Sequence, residues 1–478
     1  MLEVIWKVIM ITNFFIAGLL VFLQRREPRT VWAWLLVLFF MPWVGFVLYF
    51  LVGRDYFWDK KFRTKELRKE MQTRAYKQER DILDKGTLAS EAYEYRDLIL
   101  YNLRSGYAAY TGNNDIEVYT DGNVKFEELI KAIDKAEIYI FIQYYVIRND
   151  DLFARICKHL VRKVEEGVEV RILYDSLGGG IVPGRVWKEI EKKGIITNEF
   201  YAPILKKVYL RVNYRNHRKI VVIDGKFGFV GGFNIGEEYL GKNKKFGYWR
   251  DTHLKITGGA VEGLLLRFIL DWNYTAKEKM RAENYKPDDA VKEDYSGAGM
   301  QIVTSGPDAG YEQIRDNYLR LINKAKKNIY IQTPYFVPDE AVFNALKIAA
   351  CSGIDVRLMI PCKPDHPFVY WASYSYVGEL LRAGMRCYLY GNGFLHAKTV
   401  MVDGEVASVG TANMDIRSFR LNFEINAMIY DGRTVRKLEE IFLADMKKSV
   451  ELTSHDYITR RLNIRIKEQV SRLLAPLL

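Results

Sequence analysis

The sequence predicts an α/β fold of two pseudo-twofold-related halves, each a mixed, largely parallel sheet flanked by helices, behind an N-terminal membrane anchor. Three observations predict it. The stretch Asn216–Asn234, NHRKIVVIDGKFGFVGGFN, is written again 179 residues later as LHAKTVMVDGEVASVGTAN, and self-similarity at a fixed offset marks an internal repeat. Strand-like and helix-like runs alternate in the same order around both copies, the pattern of a sheet covered on both faces. Two long stretches without a charge lie within the first 53 residues.

Residues 1–53 are read as the anchor. Val8–Gln24 is 17 residues without a charge, and Thr30–Gly53 is a further 24; about 20 apolar residues span a bilayer as a helix. No small-residue cleavage site follows the first stretch, which separates an anchor from a removed signal peptide. Arg25, Arg26 and Arg29 lie between the two stretches, and Lys60, Lys61, Arg63, Lys65, Arg68 and Lys69 follow the second. The positive-inside rule wants both clusters cytoplasmic, which two full spans cannot provide. Pro42 breaks or kinks the second stretch. Two arrangements stay open: a second segment that dips in and returns, or a plain hairpin with its basic loop outside. Both leave the large domain cytoplasmic.

Residues 54–106 read as a basic helical linker near the membrane, 107–290 as the first half and 291–478 as the second. In the first half, IYIFIQYYV (Ile138–Val146), a helix over Asp151–Glu166 and VEVRILYDSLGG form strand, helix, strand. IYIQTPYFV (Ile329–Val337), a helix over Glu340–Ser352 and IDVRLMIPC repeat them. Tyr285–Gly299, polar with Pro and Gly, is the expected seam. Tyr457–Leu478 interleaves basic and aliphatic residues, as an interfacial amphipathic segment does or as a helix packed on the domain.

The net charge of +12 asks for an anionic partner, nucleic acid or phospholipid. The four cysteines and six histidines show no CxxC, HExxH or close pair, so no metal centre, cofactor or disulfide framework is expected.

Within the repeat, His217 pairs with His396, Lys219 with Lys398, Asp224 with Asp403 and Asn234 with Asn413. Residues two apart in a strand share a face, which puts each His beside its Lys. Asp224 and Asp403 fall on the other parity, each before a Gly between apolar runs, where Asp-Gly forms a hairpin turn. A reactive His needs its far ring nitrogen held by an acceptor. Asp251 and Glu424 follow 34 and 28 residues after the histidines of their own halves. His253 reads as a packing residue, His366 as lining an entrance or packing in a loop, and His159 and His455 carry no signal.

The doubled HxKxxxxD resembles the signature of the phospholipase D superfamily. NYRNHRKIVVIDG, WRDTHLKI, TPYFVPDE, GFLHAKTVMVDG and SFRLNFEINAMIYD are similar to the bacterial cardiolipin synthases within it. The resemblance implies a cell-membrane phosphatidyltransferase that joins two phosphatidylglycerols, releasing glycerol, through a phosphatidyl-histidine. It places Asp224 and Asp403 in the catalytic motif with the His and Lys pairs, and Asp251 and Glu424 as His-orienting groups. Residue types leave open which His attacks; the family's assignment implies His217 as nucleophile and His396 as acid and base. Lys219 and Lys398, with the amides of Asn234 and Asn413, are expected to hold the phosphate. A phosphodiester hydrolase would use the same groups with water as acceptor. A nuclease would not need two apolar segments, so anionic phospholipid rather than nucleic acid is the expected partner. A non-catalytic scaffold would not need both motifs intact.

Overall fold

A computed structural model of the protein describes residues 2–22, 28–52, 65–179, 181–200, 214–285 and 297–474. Arg25, Arg26, Lys60, Lys61 and Arg63 lie outside the described residues, as do 286–296 of the expected seam. Two compact units separate, the N-terminal helices belonging to one and the chain from helix Lys65–Lys85 onward, apart from Tyr214 and Arg215, to the other.

In the first unit, helices Leu2–Phe22, Pro28–Phe40 and Pro42–Val52 follow one another. Glu3–Phe22 is long and apolar enough to cross a membrane. The second apolar stretch breaks at Pro42, as expected of a residue without an N–H. The rings of Trp34 and Tyr49 meet edge to face at 5.7 Å, although 15 residues of straight helix would separate them by about 22 Å. The segment therefore folds back on itself. Pro42 deprives the Leu38 carbonyl of its helical donor, and the Asn13 amide supplies one at 3.3 Å, with a second bond to the Pro42 carbonyl at 3.0 Å.

The second unit is built on one sheet of 15 strands. From the first half come β1 (Tyr110–Tyr119), β2 (Tyr139–Tyr144), β3 (Glu169–Asp175), β4 (Ile196–Phe200), β5 (Ile220–Ile223), β6 (Phe227–Gly231) and β7 (His253–Thr257). From the second come β8 (Ala298–Ser305), β9 (Asn328–Gln332), β10 (Asp355–Pro361), β11 (Arg386–Tyr390), β12 (Thr399–Val402), β13 (Val406–Gly410), β14 (Glu424–Tyr430) and β15 (Ser449–Leu452). Their spatial order is β15-β11-β10-β9-β12-β13-β14-β8-β1-β7-β6-β5-β2-β3-β4. Read outward from the centre, β1-β7-β6-β5-β2-β3-β4 and β8-β14-β13-β12-β9-β10-β11 are the same sequence of strands. Corresponding strands β1 and β8 pair antiparallel at the middle, as a twofold between the halves requires.

The sheet is mixed. Its parallel pairs are β2–β3, β3–β4, β9–β10 and β10–β11; β2–β3 and β9–β10 are the strand-helix-strand units foreseen from the sequence, and β4 and β11, which were not foreseen, extend them. The Asp-Gly hairpins and the centre are antiparallel, a share that "largely parallel" understates. Side-chain carboxylates of Asp121, Asp150, Asp339 and Asp431 cap the helices that cover the sheet, each satisfying amides left free at a helix start.

The expected linker is part of the fold from Lys65 on. Ala75, Ile82, Leu98, Ile99 and Leu103 are buried in one core with Ile314, Tyr318 and Leu321 of the second half. Asn102 donates to Gln301 and Asn317 inside it. The polar, basic composition of this stretch masked a buried face on each of two helices, Lys65–Lys85 and Arg96–Gly106.

Candidate active site

Both repeat copies close on type I′ turns. Asp224 and Gly225 take φ of 52° and 64°, and Asp403 and Gly404 57° and 68°, the left-handed pair this turn demands. The Asp224 carboxylate accepts from the backbone N–H of Glu137, Ile138 and Tyr139 at 2.8–2.9 Å. Asp403 repeats this with Lys326, Lys327 and Asn328 at 2.7–2.9 Å. Each aspartate thereby fastens its hairpin to the start of the neighbouring strand, and the structure does not bring either to the imidazoles.

His217–Lys219 and His396–Lys398 lie just before β5 and β12 rather than in them. The reason is a crossed backbone connection. The His217 N–H donates to the Phe423 carbonyl at 2.9 Å, and the His396 N–H to the Arg250 carbonyl at 2.7 Å. Each histidine is thus tied to the residue preceding a carboxylate of the other half. The side chains follow: His217 Nδ1 lies 3.0 Å from Glu424 Oε2, and His396 Nδ1 2.6 Å from Asp251 Oδ2. The linear spacing assigned each carboxylate to its own half; the structure corrects this, each serving the opposite histidine. Both carboxylates are fully buried. With Nδ1 engaged, each ring keeps Nε2 for chemistry.

The two orienting groups are held differently. Thr411 Oγ1 donates to Glu424 Oε2 at 2.6 Å, and Asn422 Nδ2 to Oε1 at 3.2 Å. The repeat counterpart of Thr411 is Gly232, against which Asp251 packs so closely that a Cβ would come within 1.9 Å of Oδ1. Asp251 instead accepts from the Thr252 N–H at 2.8 Å.

Lys219 Nζ donates to the carbonyl of His217 at 2.8 Å, and Lys398 Nζ to that of His396. Burial brings Lys219 down to about 7 and Lys398 to about 8, against the pull of Glu424 and Asp251. Burial likewise lowers His217, and lowers His396 to about 4 with help from Lys398 and Lys219. Burial alone would raise Asp251 and Glu424; the facing His and Lys groups outweigh it and hold both below the usual carboxylate range. Lys398 acts on His217 and Lys219 on His396, so the two motifs lie within electrostatic reach of each other. Tyr145 stands edge-on to His217 at 5.0 Å, and Trp249 lies 5.3 Å from His396.

The two asparagines differ. Asn234 donates to Tyr239 Oη at 3.0 Å and accepts from the Val146 N–H at 3.2 Å. Asn413 keeps a buried Oδ1 without a hydrogen-bond partner among the described residues. His253 is buried with neither ring nitrogen bonded among the described residues, packed on Phe233. His366 is exposed at the start of helix Pro367–Arg382. His159 meets Asp134 at the surface, and His455 is exposed.

Sequence reasoning missed two arginines that bind the halves together. Arg218 places both terminal-nitrogen bonds of one arm on Asp271 at 2.8 Å and donates from Nε to the Glu424 carbonyl at 3.1 Å. Arg250 donates to Asp445 at 2.8 Å and to Gln332 at 3.5 Å. Their positions, next to His217 and Asp251, were the only available signal.

A family model described as "Cardiolipin synthase, PLD-like domain" matches residues 129–249 and again 318–446, one match per half. The chain belongs to the cardiolipin synthases of the phospholipase D superfamily. A second model, "Phospholipase_D-nuclease N-terminal", matches residues 12–54. The cardiolipin synthase of Oceanobacillus iheyensis is 46% identical over 98% of both chains. The major cardiolipin synthase of Bacillus subtilis is 46% identical over 100% of this chain and 99% of its own. Phosphatidylserine synthase of Haemophilus influenzae shares the fold, with a TM-score of 0.61 at 16% identity over 81% of this chain and 98% of that one.

Proposed function

We propose that the chain joins two phosphatidylglycerols into cardiolipin and glycerol at the crossed pair of histidines. One observation carries the reading: two imidazoles, each with Nδ1 on a buried carboxylate of the opposite half and a buried lysine two residues on. That is a nucleophile, a proton carrier and positive charge for a phosphodiester, in one place.

His217 Nε2, neutral because burial disfavours its charge, attacks phosphorus. The P–N bond forms as the P–O bond to glycerol breaks, and His396 gives its proton to the departing oxygen. His396 then takes the proton of the second phosphatidylglycerol's hydroxyl, whose oxygen attacks phosphorus and releases His217. His396 must be protonated for the first step, and the negative phosphodiester supplies the charge that raises it. Lys219 and Lys398 leave their carbonyl partners for the non-bridging oxygens. Asn413, whose amide oxygen has no hydrogen-bond partner among the described residues, is the asparagine that meets substrate; Asn234 acts through the Val146 and Tyr239 contacts. Asp224 and Asp403 serve the motif by holding its turns.

The membrane holds the substrate and the N-terminal helices. The fold-back at Pro42 supports a second segment that enters and returns on one side, with the catalytic unit at the cytoplasmic face of the bacterial cell membrane. Incubating the purified protein with phosphatidylglycerol alone tests the reaction. Cardiolipin with equimolar glycerol is expected; phosphatidic acid as main product would make the protein a hydrolase, and no turnover by folded protein would refute the reading.

A further inference from the structure

The last helix described, Leu462–Leu474, is mounted with its polar face inward. At about 100° per residue, Ile464, Glu468 and Ser471 share one side and Leu462, Ile466, Val470 and Leu473 the other. The first side is the packed one: Glu468 is 0% and Ser471 2% exposed. Arg460 grips Glu468 with two bonds of 2.6 and 2.7 Å, and Tyr457 Oη adds a third at 3.3 Å. Arg472 reaches Glu379 at 3.3 Å, and Lys467 lies over the Trp371 ring. The apolar side faces outward, with Leu462 71%, Ile466 56%, Val470 47% and Leu473 81% exposed. A buried carboxylate with a dedicated arginine fixes this orientation; a helix free to roll would bury its leucines and expose its glutamate.

We propose that this helix lies on an anionic phospholipid bilayer, a membrane contact additional to the N-terminal helices. The charge around the stripe selects that occupant. Arg461 and Arg465 border it on one side and Lys467 on the other, all exposed, in a chain of net charge +12. An apolar face rimmed by cations is the pattern of helices that sit in the headgroup layer. The proposal rests on the phospholipid reading of the site only in its choice of a bilayer, and its test needs no turnover.

In the full chain, Cys351 and Cys362, the exposed and half-buried thiols, are replaced by Ser, and Ile466→Cys receives an environment-sensitive fluorophore. The protein is reconstituted into vesicles of phosphatidylglycerol and phosphatidylcholine, with and without lipids bearing a quencher on the acyl chain. The label at 466 is expected to shift to the blue and lose most of its emission to the quencher, while a label at Lys158→Cys, exposed on a first-half helix, keeps its emission. Adding Leu462→Glu and Leu473→Glu should abolish the quenching without lowering the melting temperature, because both side chains are exposed. An unquenched, water-like label at 466 overturns the proposal. So does a dimer in detergent that these glutamates dissociate, since a second copy would then cover the stripe.

Discussion

Glu424→Gln is expected to disable His217 and spare His396, although it lies in the half that carries His396. The substitution keeps the shape but removes the charge from a bond of 3.0 Å made in a fully buried place. A hydrogen bond to a charged group contributes about 1.5–3 kcal/mol, or about 10- to 150-fold at 1.36 kcal/mol per decade. A second effect adds to this. The Gln amide can donate to Nδ1, which moves the imidazole proton to Nε2 and blocks attack; in a serine protease the comparable change costs about 10⁴-fold. Between the upper end of the first effect and the second, we expect a loss of about 10² to 10⁴ in formation of the phosphatidyl-enzyme. The assay uses a phosphatidyl donor with a leaving group that needs no proton, and measures covalent labelling in a single turnover. His396→Ala and Asp251→Asn should both still label, because the acid is not required. His217→Ala and Glu424→Gln should both fail to. Labelling lost in Asp251→Asn but kept in Glu424→Gln would refute the crossed pairing. Labelling of His217→Ala but not of His396→Ala would reverse the roles of the two histidines.

Three further outcomes follow from the geometry. Lys219 and Lys398 are brought to about 7 and about 8 by burial and are charged below those values, so kcat/KM should fall as pH rises from 7 to 9; a profile flat to pH 9 would count against phosphate binding by these lysines. Asp224→Asn should keep most turnover, since Asn suits a positive φ, yet lose about 1–3 kcal/mol of stability with the acceptor for one backbone amide; Lys219→Met should do the reverse, and equal activity losses in two folded proteins would mean that the turn assignment is incomplete. Removing residues 1–53 should leave activity on detergent-dispersed phosphatidylglycerol intact while making activity on vesicles fall steeply with salt, since screened surface attraction then replaces insertion; a folded but inactive truncation in detergent would place the N-terminus in the substrate site.

The repeat made the halves legible because it preserves spacing, and spacing is what a linear sequence records. His217, Lys219, His396 and Lys398 could be placed together from their offset alone, and Asp224 and Asp403 from the Asp-Gly turn. The positions of Asp251 and Glu424 were also legible, but their partners were not. Sequence distance measures proximity only within one run of chain, and these contacts depend on how the halves dock. The twofold between β1 and β8 sets Asn216 beside Phe423 and Phe394–Leu395 beside Trp249–Arg250, so that each motif runs along the strand-like segment of the other half. Arg218 and Arg250 look like ordinary surface cations in the sequence and are buried at 1% and 2% exposure; their acceptors, Asp271 and Asp445, sit on helices far along the chain. The packing of the 65–106 helices was hidden for the same reason, their apolar positions being spaced for a helix face amid many charges.

The crossing has a consequence for how the site works. Neither half contains a complete histidine–carboxylate pair of the site, so a half folded alone would hold its motif imidazole without the carboxylate that sets the tautomer. The same seam carries the backbone bonds from His217 and His396 and the Arg218 and Arg250 contacts. A displacement of one half against the other would therefore misorient both histidines together rather than one. Two-step transfer needs this coupling, because the group that protonates the leaving alcohol in the first step must stand at the same phosphorus to deprotonate the incoming one in the second. Thr411 faces Glu424 where Gly232 faces Asp251, a departure from symmetry in what supports the two imidazoles. The Thr411 hydroxyl draws charge from the carboxylate behind His217, and the Thr252 N–H does so from the carboxylate behind His396. Burial, with Lys398 and Lys219, holds His396 down to about 4, so an imidazolium there requires the negative charge of a bound phosphodiester.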